Sequence, residues 1–173
     1  RLVWAHAASV GESLSLLPLI DELTERWPDI NVLVTTGTVT SAQLMAERLP
    51  ARAFHQFIPL DRTAWVRRFL DHWQPDLVIW AESELWPNML VEMRKRRIPS
   101  ILVNGRMSER SANRWRKAPG LSEVLLGGFD ACLAQSLEER TRFASLGARN
   151  AKALGNLKFA SPPLPARRLG CAS

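Results

Sequence analysis

Three short stretches of this 173-residue chain set carboxylates or a lysine among small or apolar residues. The first is His6-Ala7-Ala8-Ser9-Val10-Gly11-Glu12. Small side chains let a backbone approach a ligand closely, and a helix starting here would turn free N–H groups toward an anion. Glu12 is placed to act as a general base on a hydroxyl nucleophile. A first-turn glutamate also complements the helix dipole, so the same residue has a purely structural reading. The second stretch is Ala81-Glu82-Ser83-Glu84-Leu85-Trp86-Pro87-Asn88. Glu82 directly follows an apolar run, where a carboxylate is partly desolvated, and such placement marks a candidate site. Helix capping by Ser83 and Glu84 is the structural alternative. The third is Gly155-Asn156-Leu157-Lys158-Phe159, in which Lys158 is either a ligand-facing cation or a solvated lysine. No GxGxxG and no P-loop lysine accompany these stretches.

Basic residues gather at Arg94-Lys95-Arg96-Arg97 and again at Arg106, Arg110, Arg114, Arg116 and Lys117. Cations at the first cluster suit the end of a helix. The second holds Trp115 and only Glu109 against its charges, a mixture suited to phosphate or anionic headgroups.

The elements that must position these residues alternate almost from end to end. Apolar runs predict strands at 2–5, 30–35, 53–58, 76–81, 101–103, 129–134 and 151–154. Amphipathic spacing predicts helices at 12–27, 40–49, 62–73, 87–97 and 136–147, with a basic helical region broken near Pro119 and Gly120. Pro87 fits a first helical turn. This βα alternation predicts an α/β fold, a doubly wound and mainly parallel sheet with helices on both faces and right-handed crossovers. Ligands of such sheets bind beyond the strand C-termini, where all three stretches fall.

At 46% hydrophobic residues the chain has the material for one domain, expected over residues 1–160. Residues 161–173, rich in proline, read as a linker or ragged tail. The net charge of +6 favours anionic partners. Cys132 and Cys171 are far apart and form neither a disulfide framework nor a metal-ligand spacing. No apolar run approaches the roughly 20 residues of a membrane span, so membrane attachment is expected to be peripheral or to lie in residues outside this chain.

Read in order, His6-x-x-Ser9-Val10-Gly11-Glu12, Glu82-x-Glu84-Leu85-Trp86-Pro87-Asn88, Asn104-x-Arg106-x-Ser108 and Gly155-Asn156-Leu157-Lys158-Phe159 resemble the 3-deoxy-D-manno-octulosonic acid (Kdo) transferases. The resemblance runs from Trp4 to Phe159. It implies half of a metal-independent, inverting GT-B glycosyltransferase built from two Rossmann-like domains. The N-terminal domain of that family binds a lipid A precursor, and the C-terminal domain binds CMP-Kdo, the donor. By the same resemblance Glu12 is the general base, and Glu82 and Lys158 stabilise the transition state. His6, Ser9, Gly11, Glu84, Asn104 and Arg106 are then expected at substrate, with no cofactor beyond the donor. An anionic membrane surface, the cytoplasmic face of the bacterial inner membrane, is the implied setting. The face bearing Arg106 to Lys117 is the expected side of approach to it.

Members usually begin with an apolar membrane-associating segment, which this chain lacks, as it lacks the CMP-Kdo domain. The expectation is a piece that binds acceptor without turning over alone. Another sugar-nucleotide GT-B enzyme or an epimerase would share the alternating pattern, and a basic nucleic-acid-binding module would share the charge. No helix-turn-helix, zinc-finger or RNA-binding aromatic motif supports a nucleic-acid partner. The family reading requires Glu12, Glu82 and Lys158 to gather around one open cleft at one sheet edge.

Overall fold

The computed structural model describes residues 1–81 and 85–157. Among them, seven strands form one sheet: β1 Leu2–His6, β2 Asn31–Thr36, β3 Ala53–Phe57, β4 Leu77–Ala81, β5 Ser100–Gly105, β6 Ala131–Ala134 and β7 Ala151–Ala153. Between them run α1 Val10–Arg26, α2 Val39–Arg48, α3 Thr63–Trp73, α4 Pro87–Lys95, α5 Glu109–Arg116, α6 Pro119–Leu126 and α7 Leu137–Ser145. Every strand pair is parallel, in the order β3-β2-β1-β4-β5-β6-β7. The doubly wound, Rossmann-like architecture is therefore present.

α1 and α2 start slightly upstream of where hydrophobic spacing alone puts them, at Val10 and Val39, because caps set them. Ser9, Thr38, Ser108 and Ser136 each accept a hydrogen bond from the N–H three residues on, at Glu12, Ser41, Ser111 and Glu139. Each cap satisfies a donor that the helix cannot satisfy internally. The interrupted basic region resolves into α5 and α6, with Pro119 opening α6 where its missing N–H costs nothing. The strand expected from 129 begins only at Ala131, since the Asp130 carboxylate turns back to accept the Ser100 N–H at 2.8 Å.

Alternation along the strands divides the core in two. Trp4, Leu33, Val78, Trp80, Leu102 and Cys132 point to the face covered by α3 to α7. Val3, Ala5, Val32, Val34, Ile79 and Val103 point to the face covered by α1 and α2, through Leu16, Ile20 and Met45. Trp4 and Trp80 are fully buried and meet edge to face, with ring centroids 5.8 Å apart. β3, at the sheet edge, turns three of its five residues to solvent.

The Arg94–Arg97 cluster does more than end a helix in solvent. Glu92, 3% exposed on α4, accepts hydrogen bonds from Arg67 of α3 at 3.2 Å, Lys95 at 2.9 Å and Arg96 at 2.6 Å. Arg96 also grips Asp71 of α3 at 2.8 Å, so the network braces α3 on α4. Hydrogen bonds from Arg67 and Lys95 and then Arg96, working against burial, hold the Glu92 carboxyl down to about 2. A carboxyl lowered from 4.5 contributes stability that is complete above that value and is lost as pH falls toward 2. Glu92→Gln should accordingly flatten the acid limb of a melting-temperature series below about pH 4.5; an unchanged limb would show that the network carries no net stability.

Candidate active site

In a parallel sheet all strand C-termini lie along one edge, and loops there usually crowd one another. They separate where the strand order reverses, because neighbouring strands then send their crossovers in opposite directions. In this sheet that point lies between β1 and β4, which pair from Val3↔Leu77 to His6↔Trp80. The chain leaves β1 into the loop carrying Ser9 and Glu12, and leaves β4 into the stretch that begins with Glu82.

Glu12 is the third residue of α1 and is 9% exposed. Its carboxylate accepts the Ala8 N–H at 2.8 Å and the Ser9 hydroxyl at 3.0 Å, while its own N–H donates to Ser9 Oγ at 3.3 Å. This is a reciprocal cap of the kind that fixes a helix start. The structural reading of Glu12 is thus realised in the geometry. It does not exhaust the carboxylate, which has about four lone-pair directions. The side chain lies at the border of burial, neither open to solvent nor sealed away. Gly11 is already within the first turn of α1, and Ser9 is exposed at its cap.

His6 lies beneath this loop, fully buried. Its Nδ1 is 3.0 Å from Thr35 Oγ1 and 3.2 Å from the Thr35 carbonyl oxygen, and Trp4 Nε1–H donates to the same Oγ1 at 2.8 Å. The imidazole packs 4.3 Å from Trp80 and 5.7 Å from Trp86, measured between ring centroids. Burial, opposed only by the Thr35 hydrogen bond, pushes its pKa down to about 3, so the ring is neutral. Nε2 is buried without a hydrogen-bond partner among the described residues.

Asn104 sits at the end of β5 in the left-handed region, φ 53°, which asparagine tolerates better than most residues. The β5–β6 register slips by one residue here, from Leu102↔Cys132 to Gly105↔Ala134, a bulge that re-aims the side chain. Asn104 Oδ1 accepts the Leu157 N–H at 3.1 Å, and its carbonyl oxygen accepts Gln135 Nε2–H at 3.1 Å. Asn156 Nδ2 donates to Gln135 Oε1 at 3.4 Å. The bulge, the end of β6 and the turn leading to residue 158 are thereby tied together. Asn104 Nδ2 is buried and has no partner among the described residues.

Asn88 has a structural partner. Asp61 accepts the N–H groups of Asn88 at 3.1 Å and Met89 at 2.8 Å, and Asn88 Nδ2 returns a bond to the Asp61 carbonyl oxygen at 2.7 Å. Asp61 thus caps α4, whose N-cap residue Trp86 makes no side-chain capping bond. On α5, Arg116 and Arg142 of α7 share Glu109, whereas Arg106, Arg110 and Lys117 are exposed and form no ion pair among the described residues. Trp115 is not displayed for a ligand: it packs half-buried against the core.

Of the expected site residues, the fold brings His6, Ser9, Gly11 and Glu12 to the β1 side of the switch point and Asn104 and Arg106 to the end of β5. Glu82, Glu84 and Lys158 lie outside the described residues, as does the 161–173 tail. Sequence reasoning missed Thr35, Asp61 and Gln135. Thr35 and Gln135 each stand at the end of an apolar strand, the signal that singled out Glu82.

The chain matches the family model described as 3-deoxy-D-manno-octulosonic-acid transferase (kdotransferase) over residues 1–161. It is 43% identical over 164 residues to the 3-deoxy-D-manno-octulosonic acid transferase of Rickettsia felis, covering 95% of this chain and 35% of that protein. The Haemophilus influenzae protein of the same name is 33% identical over 159 residues, 91% of this chain and 37% of that one. The chain thus spans little more than a third of these relatives' length. Among solved structures, UDP-GlcNAc 2-epimerase from Neisseria meningitidis superposes with a TM-score of 0.62 at 13% identity, over 91% of this chain and 47% of that one. UDP-N-acetylglucosamine 2-epimerase from Rickettsia bellii gives 0.60 at 12% identity, over 92% and 46%. These two likenesses concern the fold.

Two measurements probe the β1 loop. Ser9→Ala removes the α1 cap and should cost about 1 kcal/mol in denaturant unfolding; no change would mean that Glu12 holds the loop unaided. His6 is lowered from 6.5 to about 3, so the unfolded chain takes up a proton that the folded one refuses. Its contribution is full above pH 6.5 and shrinks as pH falls through that window. The melting temperature should therefore drop between about pH 6.5 and 4.5, less steeply in His6→Asn than in the parent chain. His55, also lowered by burial, titrates in both proteins and cancels in the comparison.

Proposed function

The chain belongs to the Kdo transferase family, and on that premise we propose that it forms the acceptor-binding half of an inverting enzyme transferring Kdo from CMP-Kdo to a hydroxyl of a lipid A precursor. The observation that carries the reading is the Glu12 carboxylate, oriented by Ala8 and Ser9 at the start of α1 beside the β1–β4 switch point. A base must be held in place yet keep a lone pair for the incoming proton. Two donors on one carboxylate meet both conditions.

In this mechanism the acceptor hydroxyl gives its proton to Glu12 as its oxygen bonds to the anomeric carbon. The bond from that carbon to the CMP phosphate breaks, and CMP leaves with the electron pair. Attack from the face opposite the leaving group inverts the centre. Positive charge gathering on the sugar ring is offset by Glu82, and negative charge on the phosphate or the sugar carboxylate by Lys158. Arg106, Arg110 and Lys117, free of counter-charges among the described residues, suit the phosphates of the acceptor. In this reading the donor is bound by the part of the relatives' length that these 173 residues do not cover. The setting is the cytoplasmic face of the inner membrane.

The test is Kdo transfer by a full-length parent enzyme. Glu12→Gln keeps the Ser9 hydrogen bond but removes the base, and should lower kcat by roughly 10²- to 10⁴-fold with acceptor binding retained. Ser9→Ala loosens the same carboxylate and an expected acceptor contact but leaves the base in place, and should lower kcat far less than Glu12→Gln does. Equal losses in the two variants, or a Glu12→Gln enzyme within a fewfold of wild type, would remove Glu12 from the chemistry.

A further inference from the structure

One buried hydroxyl organises the hydrogen bonds beneath the β1 loop. Thr35 of β2 stands opposite His6 in the sheet register and is fully buried. Its Oγ1 takes the Trp4 Nε1–H at 2.8 Å and lies 3.0 Å from His6 Nδ1. An indole nitrogen only donates, so Oγ1 accepts there and keeps one hydrogen to give. A neutral imidazole carries its own hydrogen on one nitrogen or the other, and counting donors separates the two tautomers. With the hydrogen on Nδ1, it points at the Thr35 carbonyl oxygen at 3.2 Å, which already accepts the Ala7 N–H at 3.0 Å. The Thr35 hydroxyl hydrogen then has no acceptor among the described residues. With the hydrogen on Nε2, the hydroxyl donates to Nδ1, and Trp4 and Thr35 are both satisfied. Nε2 lacks a partner among the described residues in either case. One tautomer thus strands two buried groups and the other strands one, and stranding a buried group costs more than a hydrogen bond returns.

The two ring nitrogens point apart. With Nδ1 on β2, Nε2 is turned toward the other neighbour of β1, which is β4, and so toward the switch point. Trp80 of β4 lies opposite His6 in register, its ring 4.3 Å away. Half-buried Trp86, ahead of α4, meets the imidazole edge-on at 5.7 Å and is the side chain that an entering group turns aside. Burial keeps the imidazole uncharged, and the Glu12 carboxylate is held on the Ala8 N–H two residues beyond it. A neutral donor beside a carboxylate is ill suited to an anion. The exposed cations Arg106, Arg110 and Lys117 stand instead past the end of β5 and on α5. What fits the β1 side is an uncharged oxygen, and a sugar hydroxyl can give one hydrogen while accepting another.

We infer that Thr35 is a positioning residue: its hydroxyl holds His6 as the tautomer whose Nε2–H faces the β1–β4 crevice, where it donates to an uncharged sugar oxygen of the acceptor. The identity of that oxygen rests on the acceptor-binding reading above, whereas the tautomer does not. The proton lost in the reaction still passes to Glu12, and His6 neither gains nor loses one.

Long-range proton–nitrogen correlation spectra of the 173-residue chain near neutral pH show which ring nitrogen is protonated, with His6→Asn assigning the His6 signals. Wild type and Thr35→Ser should carry the hydrogen on Nε2. Thr35→Val removes the hydroxyl at similar volume and should move the hydrogen to Nδ1, where the carbonyl oxygen accepts it. Trp4→Phe disturbs the same buried row but spares the hydroxyl, and should keep the hydrogen on Nε2. A wild-type ring protonated on Nδ1, or a mixture of the two forms, overturns the inference by itself, so a Thr35→Val chain that fails to fold does not blunt the test. A flip in Trp4→Phe equal to that in Thr35→Val also overturns it, by assigning the effect to loosened packing. In a full-length parent enzyme, Thr35→Val should raise the acceptor KM roughly fivefold or more with kcat changed by less than about twofold, and Thr35→Ser should restore it. His6→Gln, whose amide N–H can stand in for Nε2–H, should keep a lower acceptor KM than His6→Asn. A flipped tautomer with an unchanged KM strikes out the sugar contact. Glu12→Gln is scored on kcat, so failure of Glu12 as the base is read separately from failure here.

Discussion

Strand order is the constraint from which the rest follows. Right-handed crossovers oblige β1 to send its chain one way, through α1 to β2 and α2 to β3, before the chain returns along α3 to β4 on the other side. The two helices of the first leg cover one sheet face and the later helices cover the other. Only between β1 and β4 do neighbouring loops part, and only there can a ligand reach the strand ends without displacing a connection. The small residues of the β1 loop are therefore placed by topology before any of their chemistry is considered.

What keeps that point from collapsing is an aromatic floor. Trp4 and Trp80 fill the row beneath it, and His6 continues the row to the strand end. Buried polar atoms are costly unless bonded. Thr35 meets this cost for two neighbours at once, accepting from Trp4 and contacting His6 Nδ1. Two side-chain atoms in the described structure are left without partners, His6 Nε2 and Asn104 Nδ2, and they belong to strand ends on either side of β4. Native interiors tolerate few such atoms, and both occur at residues that the family resemblance places at substrate. Their burial also means that neither is presented at the surface as Ser9 and Arg106 are.

The parts of this design that the sequence made legible are those written in local patterns. Runs such as Leu77-Val78-Ile79-Trp80-Ala81 read as strands because both faces of a parallel sheet are buried, and the β1 loop stood out because a carboxylate follows small residues. Strand and helix ends were less legible, since Ser9 and Thr38 move helix starts upstream of the hydrophobic period. Long-range partners were not legible at all. Nothing around Asp61 says that it caps a helix beginning 26 positions later at Pro87. Likewise nothing around Gln135 says that it joins Asn104 to Asn156. Trp115 was misread as interfacial because a tryptophan among arginines looks the same in sequence whether it faces the core or the solvent.

The same pieces that hold the fold also hold the chemistry in place, and this limits how either could change. Glu12 serves the α1 start and the proposed proton transfer with one carboxylate, so a residue that merely capped would leave the loop intact and the reaction without its base. Asn104 accepts from the backbone of Leu157, the last described residue of its segment, so that segment is tied to a sheet bulge. On the helical layer, the Glu92 network fastens α3 to α4, and Asp61 fastens the segment before α3 to the start of α4. Both contacts tie α3 and the segment before it to α4, the helix that opens at Pro87.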